Sequence, residues 1–109
     1  MLNQVIVVGR LTQNPEIKEL ESGKKVSTIT LAVSRAYKNE EGLYDTDFIQ
    51  CVLLGAVASN TAEYCRKGDI VGVKGRLETE KNNEKYELQI VAEKVTFLSS
   101  KKPEEKEGE

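Results

Sequence analysis

The fold is decided by four runs: Val26-Ser-Thr-Ile-Thr-Leu-Ala-Val-Ser-Arg-Ala-Tyr37, Asp47-Phe-Ile-Gln-Cys-Val-Leu-Leu54, Gly55-Ala-Val-Ala-Ser-Asn-Thr-Ala-Glu-Tyr-Cys-Arg-Lys-Gly68 and Ile70-Val-Gly-Val-Lys-Gly-Arg-Leu77. The first two read as strands. In the first, Ile29, Leu31 and Val33 lie on one face, and Thr28, Thr30 and Ala32 on the other. That is the half-buried pattern of a sheet. The third run reads as a helix. Val57, Thr61 and Tyr64 fall on one stripe, with Ala58, Ala62 and Cys65 beside it, the spacing of a buried helical face. Gly68 is its expected stop, and Arg66 and Lys67 suit the negative end of the helix dipole. The fourth run is a strand again.

The flanks extend the pattern. Val5-Ile-Val-Val8 leads into Gly9, Arg10 and Leu11. Side chains alternate along a strand, so four apolar residues in succession imply cover on both faces. One face suits a barrel core and the other a contact between subunits; a strand lying under a loop is the competing reading. Asn14-Pro15 marks a turn, Glu16 to Leu20 reads as a short edge strand, and Glu21 to Lys24 as a loop. Lys38-Asn-Glu-Glu-Gly42 and Lys81-Asn-Asn-Glu84 read as polar hairpin tips, and Phe97 falls at the core end of a last strand. Three strands, a helix and two strands give an all-β chain: a five-stranded OB-fold barrel with one short α-helix between strands 3 and 4. Residues 1–99 are expected to form that domain. The charged segment 100–109 is expected to be disordered, because no apolar side chain occurs from Lys101 to Glu109.

Composition narrows the function classes. A chain of 109 residues suits one domain with a modest core. No apolar run reaches membrane-spanning length, and the start Met1-Leu-Asn-Gln-Val lacks the basic and apolar segments of a secretory signal. Cys51 and Cys65 are too few and too far apart for a metal site, and there is no His to complete one. Both are expected to be reduced, buried thiols in a cytoplasmic protein. No cofactor is implied. Enzymatic chemistry is not expected either: the carboxylates show no convergent spacing, no glycine-rich phosphate loop appears, and neither thiol has a base beside it. Residues 1–100 hold thirteen basic and fourteen acidic side chains, so bulk charge does not draw this chain to nucleic acid. Any such binding must come from local arrangement.

Sequence-tolerant binding of single strands needs flat rings for bases and cations along the phosphates. On the third strand Phe48, Gln50, Val52 and Leu54 share a face, and Ile49, Cys51 and Leu53 share the opposite one. The second set makes the better core, which aims Phe48 outward. Tyr37 ends the second strand beside a hairpin. Tyr86 is a weaker candidate, and Tyr64 reads as buried on the helix stripe. Candidate cations are Arg10, Arg35, Lys38, Lys74, Arg76, Lys81 and Lys85. For any single Lys a solvated surface charge is the commoner role. Arginine forks onto phosphate and stacks better, which favours Arg10, Arg35 and Arg76.

These segments carry a resemblance. Leu2-Asn-Gln-Val-Ile-Val-Val-Gly-Arg-Leu-Thr-Gln-Asn-Pro-Glu16, Thr30-Leu-Ala-Val-Ser-Arg-Ala-Tyr37, Asp47-Phe-Ile-Gln-Cys-Val52, Glu63-Tyr-Cys-Arg-Lys-Gly68 and Val73-Lys-Gly-Arg-Leu77 occur in the order seen in the bacterial single-stranded DNA-binding protein family, which the chain resembles over residues 1–98. The resemblance implies a homotetramer of OB-folds, joined through the first strand and sheet faces, that wraps single-stranded DNA in replication, repair and recombination. It also implies base stacking at Tyr37 and Phe48. The chain departs from the family in several places. It has no Trp, Leu54 stands where an aromatic is frequent, Ala56 where a base is frequent, and Glu78 and Glu80 where Arg is frequent. The second hairpin is also short for the family. Binding weaker and more salt-sensitive than a typical member's is the expectation. The tail Lys101-Lys-Pro-Glu-Glu-Lys-Glu-Gly-Glu109 lacks the family's apolar tip, so partner recruitment through it does not carry over. An OB-fold scaffold of the replication-restart type, whose contacts are with other proteins, stays open as the alternative. RNA stays open as a ligand, since the same face accepts either strand type.

Overall fold

A computed structural model describes residues 1–99; the tail expected over 100–109 lies outside the described residues. The strands are β1 (Val5–Leu11), β2 (Lys18–Glu19), β3 (Lys25–Lys38), β4 (Tyr44–Leu54), β5 (Ile70–Asn82) and β6 (Lys85–Ser99), with α1 (Ala56–Tyr64) between β4 and β5. They form one sheet in the order β1-β5-β6-β4-β3-β2, and β1 also pairs with β3. That last pairing, Arg10 with Ala32 and Leu11 with Leu31, closes the sheet on itself. The five long strands are the expected barrel. The two-residue β2 only extends the β3 edge, inside the segment read as a short edge strand.

The barrel forms because alternate positions of every long strand are apolar. Leu11, Ile29, Leu31, Cys51, Leu53, Val71, Val73, Ile90 and Ala92 point inward and form the core, closed at one end by Ala58 and Cys65. Leu31 and Leu53 are fully enclosed, so truncating either to Ala removes roughly 2–5 kcal/mol. Burial raises the Cys51 and Cys65 thiols to about 11, and both are free. Gly75 sits at a β-bulge beside Lys74. A Cβ there would run into the Val91 carbonyl, so only glycine lets β5 and β6 approach.

The helix is shorter than its sequence pattern. It ends at Tyr64, and Cys65 is already extended, three residues ahead of Gly68. Arg66 caps it instead of continuing it: its guanidinium donates to the Ala62 and Cys65 carbonyls. Tyr64 and Phe97 therefore depart from their expected burial. Tyr64 is 63% exposed and Phe97 46%. A nine-residue helix over one barrel end covers only the stripe of Ala58 and Thr61. Tyr64 passes the rim, where its ring meets Phe97 at 6.0 Å between centroids.

Candidate nucleic-acid interface

The outer face of β3 and β4 is built by strand alternation. Opposed residues of antiparallel strands share a face, and Arg10, Ala32 and Phe48 form one such row across β1, β3 and β4. Thr30 lies opposite Gln50 and Thr28 opposite Val52 in the rows behind it. Phe48 is 67% exposed because its neighbour Ala32 is too small to cover it. Gln50 is exposed and Leu54 half-buried on the same face. A ring standing among Ala and Thr side chains offers a flat seat for a planar group. Arg10 reaches this face and donates to the Gly68 carbonyl at 2.9 Å.

The β3–β4 hairpin carries Tyr37, Lys38 and Arg35, and it separates them. Tyr37 is 64% exposed, just before the ladder resumes with Lys38 opposite Tyr44. The Lys38 ammonium lies 5.8 Å over the Tyr44 ring, a cation–π contact. Arg35 forks onto the Asp47 carboxylate at 2.9 and 3.0 Å, with Asp45 at 3.8 Å. Asp47 is adjacent to Phe48 in β4, so it faces the other way. Arg35 is thus held on the side of β4 away from the ring. The hydrogen bond to Asp47 and the Asp47 charge raise the Arg35 guanidinium above its usual range. The same hydrogen bond holds Asp47 below the ordinary carboxylate value.

The β5–β6 hairpin has two unlike faces. Its turn is the two residues Asn83 and Glu84, both at positive φ, which is the geometry that joins tightly twisted strands. Register then assigns every side chain. Leu77, Thr79 and Lys81 share a face with Ile90, Leu88 and Tyr86. Glu78, Glu80 and Asn82 share the opposite face with Gln89, Glu87 and Lys85. Lys81 and Lys85 therefore lie on opposite sides. Arg76 belongs to the acidic side and binds Glu78 at 2.8 Å and Glu93 at 3.2 Å. Those hydrogen bonds raise its guanidinium further. Lys74 lies elsewhere, on the β1–β5 wall opposite Ile6.

A groove of about 840 Å³ runs between β4 and the β5–β6 hairpin. It exists because the parallel β4–β6 ladder holds only at Cys51–Ile90 and Val52–Val91. Beyond those two rows the strands part. Phe48, Gln50, Thr30, Glu87 and Gln89 line it, with Leu77 and Leu88. Sequence reasoning missed Glu87, Gln89 and Leu88. A firm assignment of Asn83-Glu84 as the turn would have found them, since that sets the parity of β6. Among the described residues no cluster of His, Cys, Asp and Glu is arranged to hold a metal. No described helix is long and apolar enough to cross a membrane.

A closed five-stranded barrel with a helix at one end and an open, ring-bearing groove on its sheet defines an OB-fold protein, a class that can present a sheet face to single strands. The chain matches the model of the Single-strand binding protein family over residues 2–98, and it belongs to that family, whose members are not enzymes. It is 42% identical over 111 residues to "Single-stranded DNA-binding protein B" of Bacillus subtilis, an alignment covering 97% of each chain. It is 47% identical over 106 residues to "Single-stranded DNA-binding protein 3" of Listeria innocua, covering 93% of this chain and 66% of that one. The crystal structure of a deletion mutant of the single-stranded DNA binding protein from Thermus aquaticus superposes with a TM-score of 0.75 at 32% identity, over 92% of this chain and 52% of that one. The chain thus spans nearly all of the Bacillus relative, about two thirds of the Listeria relative and about half of the Thermus chain.

Proposed function

We propose that the protein holds single-stranded DNA without strong sequence choice and serves DNA replication, repair and recombination in the cytoplasm. The observation that supports this most is Phe48, a ring 67% exposed on a sheet face whose neighbours are small. Tyr37 and Phe48 act as stacking platforms, with Gln50 and Leu54 completing the seat. Arg10 and Lys38 take phosphates beside them, and Lys81 and Lys85 add cations at the margins, while Lys74 shares with Ile6 the face assigned to the subunit contact. Arg35 and Arg76 contribute less than their type suggests, because each is already held by two carboxylates. The function belongs to residues 1–99, and 100–109 is a charged tail.

The working unit is a homotetramer joined through the first strand and sheet faces. Ile6 and Val8 support this: they point out of the barrel, 69% and 50% exposed, where a second copy would cover them. The scaffold reading draws on one observation, the local neutralisation of Arg35 and Arg76. Titration of oligo-dT against the native protein and against Tyr37→Ala, Phe48→Ala and the double variant separates the two. Each lost platform should cost about 1–3 kcal/mol of binding. Unchanged affinity in a folded double variant would favour the scaffold.

A further inference from the structure

We infer that the groove between β4 and β6 reads the edge of one nucleobase and favours bases that carry an exocyclic amine, cytosine above all, over thymine. The inference rests on the single-strand reading and adds a selectivity to it. Gln50 and Phe48 lie one and three positions before Cys51 on β4, as Gln89 and Glu87 lie before Ile90 on β6, at the mouth where the two strands part. All four line the same groove, together with Thr30. A base stacked on Phe48 would present its polar edge to two amides, a hydroxyl and a carboxylate.

The charge of the site decides what enters. Among the described residues no Lys or Arg lines the groove, and on the adjoining hairpin face Glu80 stands with Glu87, whereas Glu78 is held by Arg76 and Lys85 lies at the tip. A phosphate is repelled there and turns toward Arg10, across the row from Phe48. The base is left facing β6. Among the described residues, Gln50, Glu87 and Gln89 make no side-chain hydrogen bond or ion pair, so their donors and acceptors are unspent. A carboxylate can only accept, and cytosine N4 is a donor at the base edge where thymine O4 is an acceptor. A glutamine can meet adenine with both its donor and its acceptor.

The test is a competition titration at pH 8 between oligo-dC and oligo-dT of equal length, on the native protein and on Glu87→Ala and Glu87→Gln. Removing the carboxylate should lower the dC-to-dT affinity ratio, for Glu87→Ala by about fivefold, the lower end of what one well-made base-edge pair is worth. Oligo-dT affinity should hold or rise in Glu87→Ala, because a repulsive charge is gone. Glu87→Gln keeps the shape of the side chain but adds a donor for thymine O4, so it should lower the same ratio and serves if Glu87→Ala folds poorly. An unchanged ratio in folded variants overturns the inference while leaving single-strand binding in place. A parallel loss for both oligomers also overturns it, since that would be uniform contact rather than edge reading. If the native protein bound neither oligomer, the single-strand reading itself would fall.

Discussion

The two long hairpins of this barrel share a backbone plan and carry opposite chemistry. In the β3–β4 hairpin the carboxylates Asp45 and Asp47 are spent on Arg35, on one side of the strand, and Phe48 stands clear on the other. In the β5–β6 hairpin the acids Glu78, Glu80 and Glu87 gather on one face, and the exposed Leu88 and Tyr86 lie on the other with Lys81. The first hairpin hides its negative charge from its ring, whereas the second brings one of its acids, Glu87, into the groove. Strand parity does this at no energetic cost, because a residue's face depends only on whether its position is odd or even from a fixed pair. What each wall binds therefore depends on a few side chains and on the turn that sets their register.

Glycine substitution should separate the hairpins most sharply. Gly75→Ala forces a Cβ against the Val91 backbone at the root of the second hairpin. We expect a loss of about 3 kcal/mol or more, the upper range for overpacking, read as a lower urea midpoint at unchanged m-value. Gly42→Ala, at the tip of the first hairpin, meets open space and carries only its positive φ of 83°. That change should cost about 1–2 kcal/mol. Equal losses would show that the second hairpin gives way at its root.

The next contrast is electrostatic. Replacing Glu78 and Glu80 together by Arg turns the acidic wall basic without touching Phe48. Single-strand affinity at low salt should rise about tenfold, or ~1.4 kcal/mol. The slope of log affinity against log salt should steepen by about 1.4, the value for two added phosphate contacts on a single strand. In the native protein the same titration should reveal weak binding that fades early with salt. Binding by the native protein that persists at molar salt would refute the role given to these glutamates.

Much of this was legible from residue order. The inward set Ile49, Cys51 and Leu53 exposes Phe48 by elimination, and the apolar run from Val5 to Val8 announces a strand with an uncovered outer face. Other features depend on register, which a one-dimensional pattern does not contain. The irregularity between Ser34 and Lys38 hides the meeting of Arg35 with Asp47, since alternation cannot be counted through it. The turn at Asn83 and Glu84 decides that Lys81 and Lys85 part company and that Glu87 and Gln89 line the groove. Tyr64 has the right helical spacing for burial, but spacing does not say where the helix outruns the strand beneath it.

The smallest expected effect concerns Arg35, and it tests the claim that this hairpin keeps its charges on the far side. Arg35→Ala should change oligo-dT affinity by less than about twofold, because the guanidinium is tied to Asp47 behind the ring, and an exposed, screened pair of this kind contributes little to the fold that carries the ring. The variant should instead show itself in acid. Asp47 is held below its ordinary value of 3.8 by the hydrogen bond from Arg35. A carboxylate with a depressed folded pKa adds stability that is present above its unfolded value and is lost as pH falls through the folded one. The native and variant proteins should therefore differ at neutral pH and converge as pH drops below 3.8. A carbon-detected NMR titration should show the Asp47 carboxyl moving up toward 3.8 in Arg35→Ala. A large loss of DNA affinity with no movement of Asp47 would instead place Arg35 on the phosphate path, on the same side of β4 as Phe48.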